Sequence, residues 1–192
     1  MANYIAHPTA EISSRAKIGE GTRIWNNAHI REEVQIGKDC VISKDVYIDK
    51  GVVIGDGVKI QNGVSVYQGV TLEDGVFVGP NATFTNDFRP RALSEHWEVV
   101  PTRLRKGSSV GANATVMCGV TLGEYSMIAA GTVITVDTLP YGLYIGNPAR
   151  LKGFVSRSGY ELTVIEAQSE ALLLKCEKTG EQLRIVFEAS QA

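Results

Sequence analysis

The sequence predicts an all-β chain wound into a parallel β-helix, and three features of one six-residue repeat predict it. Stepping by six from Ile12 gives Ile18, Ile24, Ile30, Ile36, Ile42, Ile48, Ile54, Ile60, Val66, Leu72, Val78 and Phe84. After an interruption the series continues with Leu104, Val110, Val116, Leu122, Ile128 and Ile134. With 44% of the 192 residues apolar, independent draws would make all nineteen positions apolar with a probability on the order of 10⁻⁷. The fifth position of each hexad is Ala, Val, Thr, Ser or Cys in every case but Phe88, as at Ala16, Thr22, Val58 and Ala114. The fourth position is Gly in nine hexads, Asn in three and Asp in four, the residues that best accept a turn or a positive φ.

Each hexad therefore reads as one short strand and one corner. A large inward residue opens the strand, polar residues face out, and a small inward residue fills the corner. Hexad periodicity is a β-helix signature. Three flat sides per coil give 18 residues per coil and roughly six coils, with Ile12, Ile30, Ile48, Val66 and Phe84 stacked in one column.

The chain length fits one ordinary domain with an appendage. A net charge of −2 gives no polyanion-binding signature, so no nucleic-acid partner is expected. The start, MANYIAHPTA, has no basic region followed by an apolar stretch, and no run approaches a membrane span, so the expectation is a cytoplasmic protein with no membrane association. Cys40, Cys118 and Cys176 are scattered, without a CxxC, which argues against a disulfide framework.

The repeat breaks at residues 86–103, NDFRPRALSEHWEVVPTR, and resumes in phase. A patternless loop of this length in a compact domain is often functional, although a corner can also host a tolerated insertion. Residues 161–187 give three β-rich runs, ELTVI, ALLLKC and LRIVF, separated by AQSE and KTGEQ. They read as a small meander that covers the end of the prism. Two units follow: 1–153, the β-helix with its loop, and 154–192, a β-rich extension.

Several segments carry a family resemblance. The hexads, the loop, the run VGANATVMCGVTLGEYSMIAAGTVITVD (110–137) and the closing GNPARLKG (146–153) resemble the hexapeptide-repeat acyltransferases. The segment VYQGVTLEDGVFVGPNATFTNDFRPRA (66–92), with IGEGTRIW and GNPARLKGFVSRSG, is similar to the sugar-nucleotide N-acetyltransferases of bacterial surface-polysaccharide synthesis. Closest are the enzymes that acetylate the 3-amino group of UDP-2-acetamido-3-amino-2,3-dideoxy-glucuronic acid for lipopolysaccharide O-antigen. A sister group acts on dTDP-3-amino-3,6-dideoxyhexoses. The resemblance implies left-handed coils and an acetyl-CoA-dependent homotrimer with active sites between subunits, and no metal is expected.

The resemblance also assigns residues. Ala112 falls beside the pantetheine arm of the cofactor, Ala130 where a backbone group bonds that arm, Thr135 near the adenosine end, and Arg150 near the CoA phosphates, with Lys152 a weaker phosphate candidate. Small residues that merely fit the coil are the competing reading for both alanines. Relatives often carry a basic residue after Thr135, where this chain has Val136. Many such enzymes place a histidine base in the loop, but here the matching stretch is FTNDFRPR. The resemblance puts Asn86 there, in an enzyme working by direct attack: its amide oxygen accepts a hydrogen bond from the sugar amine and orients the lone pair. An Asx turn opening the loop is the competing reading.

Asp87, Arg89 and Arg91 are candidates for substrate contact, since a guanidinium fork suits a diphosphate or a uronate. A solvated Arg-Pro-Arg loop is the alternative. Tyr67 and Gln68 occupy outward positions one coil before Asn86, and the 18-residue spacing stacks Gln68 beside it. His29 points outward and reaches toward an intersubunit cleft, or is simply a solvated histidine. His96 lies in the loop as a possible base. Relatives often have His-Phe after the Ile-Trp pair, where this chain has Asn26 and Asn27. A zinc hydrolyase of the γ-carbonic anhydrase type shares the repeat but needs three converging histidines, and His7, His29 and His96 lack the spacing. A non-catalytic β-helical scaffold is the remaining alternative.

Overall fold

The computed structural model describes residues 3–93, 98–168 and 170–186, so His96 and Phe187 lie outside the described residues. The hexads form strands of two or three residues that stack in parallel into three sheets, the faces of a triangular prism. The first face runs from Ile5–Ala6 to Gly142–Ile145, the second from Glu11–Ile12 to Val133–Ile134, and the third from Lys17–Ile18 to Thr121–Leu122. On either side of the loop, strand residues of the hexads pair with those 18 further on, as Ile30 does with Ile48 and Lys59 with Phe77.

The inward residues follow the expected pattern. Ile30, Ile48, Val66 and Phe84 form one column, each at most 1% exposed, and the fifth-position residues Val34, Val58, Val64 and Ala114 are fully buried beside them. Burying each large side chain contributes about 1.5–3 kcal/mol, and the repetition makes one continuous core. Corner geometry follows the fourth position: nine Gly and seven other residues there have positive φ, including Glu33 and Tyr125 as well as Asn27, Asn81 and Asn113.

The helix is longer than the expected six coils, because the first face carries eight parallel strands. One additional strand, Ile5–Ala6, keeps the 18-residue register with Arg23–Ile24. Its Ala6 takes the register of the inward Ile24 but is small and exposed at the open end, which gives a weak hexad signal. The other, Gly142–Ile145, pairs with Met127–Ile128 at a spacing of 16, out of phase with the repeat. Across the loop the register jumps to 32, from Thr83 to Thr115, so the insertion is fourteen residues net.

Antiparallel strands at Arg150–Val155, Glu161–Gln168, Ala171–Lys175 and Gln182–Val186 continue the first face, so the expected boundary at 153/154 falls inside the first of them. The Glu161 strand runs to Gln168, through the first half of the AQSE expected as a separator. A register shift between Val164 and Glu166 explains the imperfect alternation of that run. Phe154, Leu162, Leu174, Cys176 and Ile185 form a second core that packs on Leu139 and Tyr141 at the end of the prism. At that end Ile128 and Ile134 are fully enclosed, whereas Ile12 and Ile18 of the opening coils are only half-buried.

Candidate active site

Asn86 stands at the corner between the second and third faces, two residues beyond the inward Phe84 and where the chain leaves the helix. Its Nδ2 donates to the backbone carbonyl of Gln68 at 3.5 Å, a long hydrogen bond. Gln68 therefore does lie beside Asn86, but it meets it through the main chain. A carbonyl only accepts, so this contact fixes which end of the amide is NH₂ and leaves Oδ1 as the end that can accept from another group. The Asn86 carbonyl accepts the Val100 N–H at 3.2 Å, tying the two ends of the loop together. The Asx turn of the loop falls one residue later: the Arg89 N–H donates to Asp87 Oδ1 at 2.7 Å.

A cluster that sequence reasoning missed lies on the coils leading to Asn86. Asp49 Oδ1 accepts from the Tyr47 hydroxyl at 3.0 Å, from Arg31 Nη1 at 3.2 Å and from the Lys50 N–H at 2.8 Å. Its Oδ2 accepts the Gln68 N–H at 3.3 Å. Arg31 also forms a two-point pair with Glu32, at 2.8 and 3.2 Å. Burial pushes the Tyr47 phenol above its usual range, against the opposing Arg31 hydrogen bond and with help from Asp49. Hydrogen bonds to Tyr47 and then Glu32 hold Arg31 still more firmly protonated than usual. The signal available in sequence was the spacing 31, 49, 67, an outward column of Arg, Asp and Tyr at the coil period.

His29 packs its ring edge-on against Tyr47 at 5.5 Å, and Tyr47 lies 6.3 Å from the exposed ring of Tyr67. His29 is thus outward as expected, three coils before the Thr83–Phe84 strand. His7 lies on the first face and contacts the Thr9 hydroxyl at 3.0 Å. Arg89 and Arg91 are exposed on the loop, and Arg91 donates to the Pro90 carbonyl at 2.8 Å.

Ala112 and Ala130 occupy the corner between the first and second faces, one and two coils beyond Asn86. Gly131 N–H donates to the Ala112 carbonyl at 2.9 Å, so the two alanines stack in one column. Thr135 is exposed at the far end of the second face. Ala149 N–H bonds the Val133 carbonyl at 3.0 Å, which anchors the exposed Arg150 beside the last strand of that face. Lys152 is exposed on the same Arg150–Val155 strand. Asn86 and the two alanines thus border opposite edges of the second face, offset along the axis by about 5–10 Å at one coil per ~4.8 Å, whereas Thr135 lies on the Asn86 edge, two coils beyond Thr85.

The family profile described as bacterial transferase hexapeptide (six repeats) matches residues 15–50, 51–86 and 101–135. A dTDP-3-amino-3,6-dideoxy-alpha-D-galactopyranose 3-N-acetyltransferase of Aneurinibacillus thermoaerophilus is 44% identical over 68 residues, 35% of each chain. A putative acetyltransferase of Schizosaccharomyces pombe is 36% identical over 80 residues, 39% of this chain and 38% of that one. The chain thus spans about a third of the length of these curated relatives. Among solved structures, a GDP-perosamine N-acetyl transferase variant from Caulobacter crescentus, in complex with CoA and GDP-perosamine, superposes with a TM-score of 0.54 at 23% identity, covering 79% of this chain and 58% of that one. A hexapeptide-repeat containing acetyltransferase from Vibrio cholerae complexed with acetyl coenzyme A gives 0.59 at 24% identity, covering 65% and 72%. These structural likenesses show the shared β-helix. With more than half of its residues matched by the profile, the chain belongs to the bacterial transferase hexapeptide family.

Proposed function

We propose that the protein is an acetyl-CoA-dependent N-acetyltransferase that acetylates the 3-amino group of a nucleotide-linked amino sugar. The observation that carries this reading is the Asn86 amide, anchored through Nδ2 at one edge of a face whose opposite edge carries Ala112 and Ala130. The match to an amino-sugar 3-N-acetyltransferase supports the acceptor class.

The reaction needs a neutral amine held near the thioester carbonyl and a stabilised oxyanion. In this reading Asn86 Oδ1 accepts a hydrogen bond from the sugar amine and points its lone pair at the carbonyl carbon. The C–N bond forms, the tetrahedral intermediate collapses with loss of the C–S bond, and the departing thiolate takes the amine proton. An amide cannot remove a proton near neutral pH, so Asn86 orients and does not act as a base. Tyr67, Gln68, Asp87, Arg89, Arg91 and His29 face the sugar nucleotide. Ala112, Ala130, Thr135, Arg150 and Lys152 flank acetyl-CoA. The site is completed between subunits of a homotrimer.

The acceptor within this class is UDP-2-acetamido-3-amino-2,3-dideoxy-glucuronic acid, destined for lipopolysaccharide O-antigen; the alternative is a dTDP-3-amino-3,6-dideoxyhexose, which the Aneurinibacillus relative's name favours. Thiol release from acetyl-CoA, measured against UDP- and dTDP-linked 3-amino sugars with and without a 6-carboxylate, tests both. Turnover of the UDP-uronate alone supports the full proposal. Turnover of a dTDP-deoxyhexose keeps the chemistry and changes the substrate, and acetyl-CoA binding without turnover of any amine rejects the acceptor class.

A further inference from the structure

At most corners of the helix, the carbonyl of a third-position residue accepts the N–H of the fourth-position residue one coil later. Glu32 accepts from Gly51 at 3.1 Å, Asn62 from Asn81 at 2.9 Å, and Ala112 from Gly131 at 2.9 Å. At Gln68 the chain turns out into the loop one coil later, and the carbonyl instead accepts the side-chain NH₂ of Asn86. Asn86 therefore takes the place of a rung of the corner ladder, and its orientation depends on where the Gln68 carbonyl points.

Gln68 is itself held from the preceding coil. Asp49 Oδ2 accepts its N–H, while Oδ1 is fixed by donors from Tyr47, Arg31 and Lys50. Only a carboxylate offers acceptors on both sides. An isosteric amide would turn an NH₂ either toward the Gln68 N–H or toward the Tyr47 and Arg31 donors.

We propose that Asp49 is a positioning residue that acts through Gln68 on Asn86: it clamps the Gln68 N–H so that the neighbouring carbonyl captures Asn86 Nδ2 and directs Oδ1 to the acceptor amine. This inference rests on the proposed acetyl transfer, and its first test is independent of any substrate.

The full chain labelled with ¹⁵N-asparagine is compared by NMR as wild type, Asp49→Ala and Asp49→Asn, with the Asn86 side-chain NH₂ assigned by its loss in Asn86→Ala. In both Asp49 variants that NH₂ pair is expected to shift and to exchange faster with solvent. Tyr47→Phe, which leaves Oδ2 on Gln68, is expected to leave it in place. If Asp49→Ala fails to fold, the isosteric Asp49→Asn carries the comparison. On active protein, kcat for the acceptor falls about tenfold, on the scale of slight misplacement of a reacting group, with KM for acetyl-CoA unchanged. Adding Asp49→Asn to Asn86→Ala then costs less than twofold more, because the effect runs through Asn86. An unmoved Asn86 NH₂ in Asp49→Asn overturns the inference whatever the enzyme acetylates, and so does a double variant whose losses multiply. Absence of acetyl transfer in the wild type rejects the functional reading and leaves the NMR result to decide the role of Asp49.

Discussion

A β-carbon on Gly111 would lie 2.5 Å from the backbone nitrogen of Ala130 and 2.7 Å from the carbonyl carbon of Ala129. The two coils that carry Ala112 and Ala130, proposed to flank acetyl-CoA, approach each other through bare backbone at this point, and neither partner is a flexible side chain that can move away.

Gly111→Ala is therefore expected to destabilise the fold by about 1–3 kcal/mol, the scale of overpacking, read as a lower urea midpoint. Gly131 is the control. Its φ of +68° requires a left-handed backbone, but a β-carbon there meets nothing within 4 Å. Gly131→Ala should cost only about 1–2 kcal/mol of backbone strain. Gly131→Asn should cost less still, because Asn27, Asn81 and Asn113 already hold φ of 55–57° at the equivalent corner position.

Asn86→Ala is expected to lower kcat about 10²-fold, the scale of losing one hydrogen bond to the reacting centre, while the Kd of acetyl-CoA stays within error in calorimetry. Asn86→Asp separates shape from chemistry. Aspartate keeps an acceptor but sets a second oxygen against the Gln68 carbonyl, which offers no proton. It should lose nearly as much activity as alanine, and wild-type turnover in either variant would remove Asn86 from the mechanism.

Phe84 and Phe88 both fall on hexad phase, one at the first position and one at the fifth, yet Phe84 is 1% exposed and Phe88 is 61% exposed. Phe84→Ala should cost about 3–5 kcal/mol and Phe88→Ala almost nothing in stability, measured by urea unfolding.

That pair also marks how much was legible in the sequence. The hexads fixed the strands, the inward columns and the corners because every coil solves the same packing problem, and Phe88 was the one residue too large for its place. It signalled where the chain leaves the helix. Ala6 and Tyr144 escaped because one is a small, exposed residue of the open end and the other arrives after a 16-residue step. At the site, the 18-residue period correctly brought Gln68 to Asn86, but period alone does not say whether main chain or side chain makes the bond. The Arg31–Asp49–Tyr47 cluster was missed because polar residues on an outward face look solvated until their mutual distances are known.

Alkaline stability follows from two tyrosines. Burial raises the phenols of Tyr47 and Tyr144 above their ordinary value of 10, with a backbone hydrogen bond at Leu139 opposing the shift at Tyr144. The folded state thus holds these protons more tightly than the unfolded chain does. Their contribution is complete below about pH 10 and is lost as pH rises through the folded values. The melting midpoint should fall above pH 10, and Tyr144→Phe should flatten that fall. An unchanged slope would show that the Tyr144 proton is not linked to folding.

Cys40, Cys118 and Cys176 are all free and buried, and burial pushes the Cys40 thiol up, away from its reactive thiolate. Cys40 faces the long continuous core, with its Sγ 3.1 Å from the Gly55 carbonyl, whereas Cys176 belongs to the small second core of the extension. The folded protein should release almost no thionitrobenzoate from Ellman's reagent and three equivalents once denatured. At intermediate urea Cys176 should react first, since a core of few residues opens at lower cost than one spanning every coil. Peptide mapping of the labelled thiols decides the order. Simultaneous labelling of Cys40 and Cys176 would mean that the extension and the helix unfold as one cooperative unit.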